Sequence, residues 1–153
     1  MPPGWKVYWV LMHTVLVLVA YAAFFVTFFS SILYLLQERA LKAKRTETFP
    51  GKLPSLQALD RMLVASLITG IVTMTLGILT GAIWAERAWG RYWAWDPKET
   101  AALITWLIYL FLIHCRLAAG WRGKRAAIVN VIGFISVLFT FLGASYFRGM
   151  HAF

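Results

Sequence analysis

Three histidines and a dense run of tryptophans are the residues here whose types and spacing suggest chemistry. The histidines are His13, His114 and His151. The run, WAERAWGRYWAWDPKET, extends from Trp84 to Thr100 and holds Trp84, Trp89, Trp93 and Trp95, half of the eight tryptophans in the chain. Imidazole is a common metal ligand and titrates near neutrality. Indole offers a flat apolar face and one N–H donor. Four indoles in twelve residues, with Tyr92 among them, exceed what anchoring at a bilayer boundary needs, although an aromatic belt collects the same residue types. Density alone leaves belt and ligand platform both open. The end of the run also has a structural reading. Asp96-Pro97-Lys98-Glu99 is a helix start, with Asp96 as N-cap, Pro97 at the first helical position and Glu99 where a capping box places its acid. That geometry would fix where Trp93 and Trp95 point, so capping and binding need not compete.

The elements that must position these residues are helices in a membrane. Of 153 residues 61% are hydrophobic and only 14% charged, against about 25% charged in soluble domains. Mean hydropathy is +0.70. A small globule cannot bury that much apolar surface, so the bilayer is the expected solvent. Four apolar runs stand out: Val7 to Leu36, Leu63 to Trp84, Ala101 to Leu117 and Ala126 to Phe147. They predict an all-α polytopic membrane protein, one domain over residues 1–153, as a bundle of four transmembrane helices with an external tryptophan-rich loop over 84–100. The first run is too long for a signal-peptide core and lacks a charged leader, so it reads as a retained helix. Gly70, Thr73, Gly77 and Gly81 share a face of the second helix, and Asn130, Gly133, Thr140 and Ala144 a face of the fourth. In the first helix His13, Ala20, Thr27 and Tyr34 recur every seven residues. These stripes are expected to face protein. Pro50, Gly51 and Pro54 mark a turn, and Ser55 is a candidate cap for a helix leading into the second span.

Charge sets the expected orientation. The net charge of +9 raises the possibility of nucleic acid, but the basic residues cluster in two loops between apolar runs, so no nucleic-acid partner is expected. Arg39, Lys42, Lys44, Arg45, Lys52 and Arg61 lie in one, and Arg116, Arg122, Lys124 and Arg125 in the other. Both belong on the cytoplasmic side by the positive-inside rule. Lys6, Arg87, Arg91, Lys98 and Arg148 then lie outside, three of them beside Glu86, Asp96 and Glu99. The expected location is the plasma (inner) membrane, with both termini and the tryptophan loop external. His13, about two turns into the first helix, and His151, just past the fourth, then flank the loop. His114 lies about 22 Å along a helix axis from Glu99, near the inner face. An ionisable residue in a span is a functional hypothesis by default, yet each histidine singly also suits hydrogen-bonded packing.

Haem is the ligand that fits this set. It is a flat apolar disc with carboxylates at one edge and an iron that takes axial imidazoles. Indoles supply the faces, and Arg87, Arg91 and Lys98 are placed to pair with propionates. Zinc fits poorly, because no cysteine or carboxylate cluster completes a tetrahedral set. Cys115, the single cysteine, excludes an intrachain disulfide and reads as an inert buried thiol.

The string WGRYWAWDPKET, Trp89 to Thr100, resembles the tryptophan-rich "WWD" motif of the cytochrome c assembly family of haem-handling membrane proteins, and WDPKE is most similar to its CcsA/ResC branch. The likeness extends along the chain. His13 with Tyr21-Ala22-Ala23-Phe24 is similar to the segment bearing the family's first external histidine, and Gly149-Met150-His151 to the segment bearing its second. His114, with Arg116 and Gly120-Trp121-Arg122-Gly123, resembles the family's membrane-embedded histidine region. The resemblance implies haem b held by His13 and His151 as external axial ligands. Trp89, Gly90, Tyr92, Trp93, Trp95 and Asp96 would form its platform. It implies presentation of haem to apocytochrome c, whose thiols add to the haem vinyls, with a ResB-like membrane subunit as partner. The family's inner partner histidine for His114 has no counterpart here, so a cytoplasmic-side haem at His114 would need another subunit.

The expected function is therefore haem binding, transport and presentation during cytochrome c maturation, as a subunit of a cytochrome c synthetase. No residue reads as an acid, base or nucleophile, so any lyase activity would come from positioning. One rival is a cytochrome b-type electron-transfer anchor, which calls for paired histidines on facing helices; His114 lacks a partner at its depth. A purely structural subunit leaves the tryptophans and external histidines unexplained.

Overall fold

The computed structural model describes residues 2–43 and 54–151, with backbone alone for 144 and 147–151. It contains four helices: α1 (Pro3–Lys42), α2 (Leu56–Trp89), α3 (Pro97–Leu117) and α4 (Lys124–His151). All four are long and apolar enough to cross a membrane. The chain is a polytopic helical membrane protein. The turn read at Pro50 and Gly51 lies outside the described residues.

Every helix is longer than the apolar run that predicts it, because local chemistry ends helices where hydropathy does not. Ser55 caps α2 by accepting the Ala58 N–H at 3.1 Å. The helix then runs unbroken into the span. Pro3 sits in the first turn of α1, where it needs no N–H partner. At its far end Glu38 and Lys42 pair at 3.0 Å, one turn apart. With 40 residues, α1 is about 60 Å long and overhangs a hydrocarbon core of about 30 Å. The expected loop over 84–100 is corrected to Gly90 through Asp96. Ala85, Glu86, Arg87 and Ala88 are helix formers with no breaker among them, so α2 carries Trp84, Arg87 and Trp89 as helical residues. It stops at Gly90, whose φ of 69° is left-handed, with the Gly90 N–H donating to the Glu86 carbonyl at 2.7 Å.

The helices close a ring in which each packs on its sequence neighbours and α4 returns to α1. Glycines set the closest approaches. A Cβ at Gly77 would stand 3.1 Å from Val17, one at Gly81 would stand 2.8 Å from the His13 ring, and Gly70 leaves room for the Phe24 ring. Gly133 does the same between α4 and α3, beneath Leu112. Trp106 links α3 to α2 by donating its indole N–H to Thr75 Oγ1 at 2.8 Å. At the centre Phe24 and Tyr109 stack across the bundle with ring centroids 3.7 Å apart.

Aromatic pairs fix the register of α1 against α4. Tyr21 meets Phe141 edge-on at 5.0 Å, and Phe28 stacks on Phe134 at 4.4 Å. Seven residues down α1 match seven residues back along α4, so the helices are antiparallel. The same register carries His13 level with Gly149, and His151 ends the helix about 3 Å further along its axis. The first and fourth helices are bundle neighbours, as a shared role for His13 and His151 requires.

Candidate functional site

A cavity of about 300 Å³ opens at the end of the bundle that carries the tryptophan loop. Its walls include His13 from α1, Trp84 and Trp89 from the last turns of α2, Tyr92, Trp93 and Asp96 from the loop, and Lys98 and Glu99 from α3. Tyr21, Met74, Ile78 and Phe141 form its apolar floor. Two of the aromatic wall residues, Trp89 and Tyr92, are largely exposed.

His13 is held by one ring nitrogen. Its Nδ1 lies 2.8 Å from the Gly77 carbonyl and 3.2 Å from Thr80 Oγ1. The Thr80 hydroxyl itself donates to the Gly77 carbonyl, at 3.0 Å. A carbonyl only accepts, so the neutral ring carries its proton on Nδ1 and leaves the Nε2 lone pair for a ligand. A backbone carbonyl orienting one imidazole nitrogen while the other ligates is the usual support of a metal-bound histidine. Gly81 makes the seat: a Cβ there would collide with the ring edge. One turn earlier, Trp9 donates its indole N–H to the Thr80 carbonyl at 2.9 Å, docking the same stretch of α1.

The loop is built by its caps. Asp96 has φ −67° and ψ 162°, and its carboxylate accepts the Glu99 N–H at 2.7 Å with Pro97 following. Glu99 does not return to the Asp96 N–H, as a capping box would. Its Oε2 accepts the Ala94 N–H at 2.8 Å, two residues further back. Between these anchors Trp95 has φ 57°, and it is the one described residue other than glycine with a positive φ. That conformation costs a bulky residue about 1–3 kcal/mol. A hydrogen bond to a carboxylate contributes about 1.5–3 kcal/mol when shielded and less in an open loop, so bond and strain are comparable. The Trp93 and Trp95 rings meet edge to face at 5.7 Å. Trp93 Nε1 is buried and has no hydrogen-bond partner among the described residues.

Not every expected residue gathers here. Arg91 lines an adjoining cavity of about 190 Å³ that shares Trp89, Asp96 and Glu99 with the first. Arg87 is exposed on α2 and lines neither cavity. Gly90 shapes the turn without lining the cavity, and Trp95 reaches it through its ring contact with Trp93. His114 is exposed on α3 beside the buried Cys115, so it packs inside no part of this bundle. The side chain of His151 lies outside the described residues. Among those described, no three histidine, cysteine or acidic side chains cluster as metal ligands. The floor residues Tyr21, Met74 and Phe141 escape a reading of the sequence, because in their own helices they look like ordinary core. So does Asp60, which grips Arg116 through two bonds of 2.7 and 2.8 Å and ties the start of α2 to the end of α3.

Fold and site together define a polytopic helical membrane protein with an aromatic cavity at one end and an oriented imidazole in its wall. Residues 1–151 match the family described as cytochrome C assembly protein, and the chain belongs to that family. Its relatives include proteins named cytochrome c biogenesis protein CcsA. The one from Chlamydomonas reinhardtii is 37% identical across 99% of this chain and 42% of its own length. Those from Guillardia theta and Prochlorococcus marinus (strain MIT 9312) are 34% and 32% identical across 99% of this chain, covering 56% and 55% of their own lengths. The chain spans about half the length of the curated relatives it matches. No solved structure matches. The CcsA-type resemblance read from WGRYWAWDPKET is borne out.

Proposed function

We propose that this chain binds haem b in the aromatic cavity and presents it to apocytochrome c in cytochrome c biogenesis. The observation that carries this reading is the state of His13: Nδ1 held by the Gly77 carbonyl, the ring seated over Gly81, and the imidazole in the wall of a cavity lined by Trp84, Trp89, Tyr92 and Trp93. The donor set suits haem. An unprotonated imidazole nitrogen suits the iron, indole and phenol faces suit the macrocycle, and Lys98 suits a carboxylate. His151 is the second axial candidate, supported by the α1–α4 register and by family membership. Bound haem supplies the iron redox couple and the vinyl groups to which thiols add.

The protein's own part is positional. His13 orients one ligand atom, the tryptophans exclude water from the ring face, and the open mouth leaves an edge accessible. The cavity belongs to the external end, with both termini outside, and the basic end faces the cytoplasm. His114, exposed at that inner end, is suited to a ligand or contact shared with a ResB-like membrane subunit, rather than to the outer haem.

An absorption spectrum of the detergent-purified chain tests the reading. Loading with ferric haem followed by reduction should give a Soret band and sharp visible bands typical of two imidazole ligands. A spectrum equal to that of free haem in the same detergent, with and without the partner subunit, overturns it.

A further inference from the structure

We propose that Glu99 is the positioning residue of the tryptophan loop. By holding the Ala94 N–H, its carboxylate keeps Trp95 in the left-handed conformation and so fixes the Trp93–Trp95 indole pair at the cavity wall. The ligand in this inference rests on the haem reading; the geometry does not.

Two reciprocal bonds define the clamp. Asp96 Oδ1 accepts the Glu99 N–H, and Glu99 Oε2 accepts the Ala94 N–H. A simple capping box would close on Asp96 and leave Trp95 unconstrained. Here the carboxylate reaches past Asp96, and the backbone between the two anchors includes the left-handed Trp95. The loop has a second left-handed residue, Gly90, where glycine adopts the conformation without a Cβ penalty. Tryptophan at the other end bears that penalty, and an indole is placed where glycine would leave none. Released from the clamp, Trp95 would relax to negative φ. Its Cβ would then leave along a different direction, and Trp93 would lose its edge-on partner. Glu99 thus acts on a ligand through the two indoles and needs no contact of its own.

A rival route exists, because Glu99 also lines both cavities and a carboxylate there can meet a ligand directly. A double-mutant cycle separates the two. In a Trp95→Gly background the Cβ penalty and the indole are both gone, so the clamp has no indole pair to fix. The full chain is purified in detergent as wild type, Glu99→Ala, Glu99→Gln, Trp95→Gly and the double variant Trp95→Gly with Glu99→Ala. Near-ultraviolet circular dichroism of the ligand-free protein reads the coupled indoles, and hemin titration reads affinity. Glu99→Ala should lose the part of the indole signal that Trp95→Gly also removes, and bind hemin about tenfold more weakly. Glu99→Gln, whose amide oxygen still accepts from Ala94, should keep most of both. Adding Glu99→Ala to Trp95→Gly should change affinity by less than about twofold. If Glu99→Ala loses helix content in the far ultraviolet, Glu99→Asp replaces it, since the shorter acid cannot reach Ala94 and should behave alike. An unchanged near-ultraviolet spectrum in a folded Glu99→Ala or Glu99→Asp chain overturns the clamp. A tenfold loss that persists in the Trp95→Gly background overturns the route through Trp95. Wild-type protein that takes up no hemin defeats the haem reading alone, and the dichroism still decides the clamp.

Discussion

The imidazole of His13 is tied down through Nδ1, and that tie decides what the rest of the ring can do. With the Gly77 carbonyl and the Thr80 hydroxyl on one nitrogen, the neutral ring offers the other as an acceptor in the cavity wall. A ligand bond at this nitrogen and a contact surface from the indoles are different contributions, and substitutions should separate them. His13→Gly should lower haem affinity and move the reduced spectrum away from six-coordinate low-spin character. Added imidazole should partly restore it, because the missing group is small and its space remains. His151→Gly should behave in the same way if that residue is the second axial ligand. Trp95→Ala should instead weaken retention about tenfold while whatever haem remains stays six-coordinate, because an aromatic contact contributes area rather than an axial bond. Haem content and reduced spectra of the three variants, with and without imidazole, check this. Wild-type spectra in both histidine variants would end the axial assignment.

At the scale of the helices, the seat of His13 is made by α2 and not by α1. Gly81 is the position where α2 permits the ring, and a Cβ there would stand 2.8 Å from Cε1 and 3.3 Å from Nδ1. Gly81→Ala should therefore push the imidazole off the Gly77 carbonyl, at an overpacking cost of about 1–3 kcal/mol in the contact between α1 and α2. The expected readouts are a lower melting temperature in detergent and weaker hemin binding. The neighbouring exposed change Leu79→Ala, on the outward face, should leave hemin binding unaltered. Equal hemin affinity in Gly81→Ala and wild type would remove α2 from the site. The sequence discloses these contacts unevenly. The glycine spacing of α2, the Ser55 and Asp96 caps and the four apolar runs are local signals, and all reappear in the structure. The lengths of α1 and α2 are misjudged because hydropathy fades where Glu86, Arg87 and the Gln37–Lys42 stretch begin, while helix propensity does not. The floor of the cavity is hidden for another reason. Tyr21, Met74 and Phe141 become neighbours only through the crossing of three helices, and no spacing within one helix encodes that. The bridge from Glu99 to Ala94 is local but hidden too, since the motif predicts a box closing on Asp96 and the carboxylate reaches two residues further back.

For the whole molecule the decisive asymmetry is between its two ends. One holds the aromatic cavity, with acidic partners close to its cations: Lys98 and Arg91 lie near Asp96 and Glu99. The other collects Arg39, Lys42, Arg61, Arg116, Arg122, Lys124 and Arg125, against Glu38 and Asp60 among the described residues. Asp60 is already engaged by Arg116 and Glu38 by Lys42, so most of the remaining positive charge at this end is uncompensated. Translocating that end during insertion would carry several unpaired cations across the bilayer, which the positive-inside bias of short loops disfavours. Keeping it inside requires only the sparser charges of the other end to cross, where Glu86, Asp96 and Glu99 lie among Arg87, Arg91 and Lys98 in sequence. The antiparallel α1 and α4 bring both ends of the described chain to one side, beside the cavity, and the proposed orientation makes that side the outer one. The test replaces the buried Cys115 with alanine and introduces a single new cysteine at either end of the bundle. Gly4→Cys sits in open space at the start of α1, and Ala119→Cys lies in the exposed turn between α3 and α4. A membrane-impermeant maleimide should label Gly4→Cys in intact cells and Ala119→Cys only after permeabilisation. The reverse pattern would place the tryptophan cavity on the cytoplasmic side, out of reach of an external apocytochrome, and the proposed presentation of haem would fall with it.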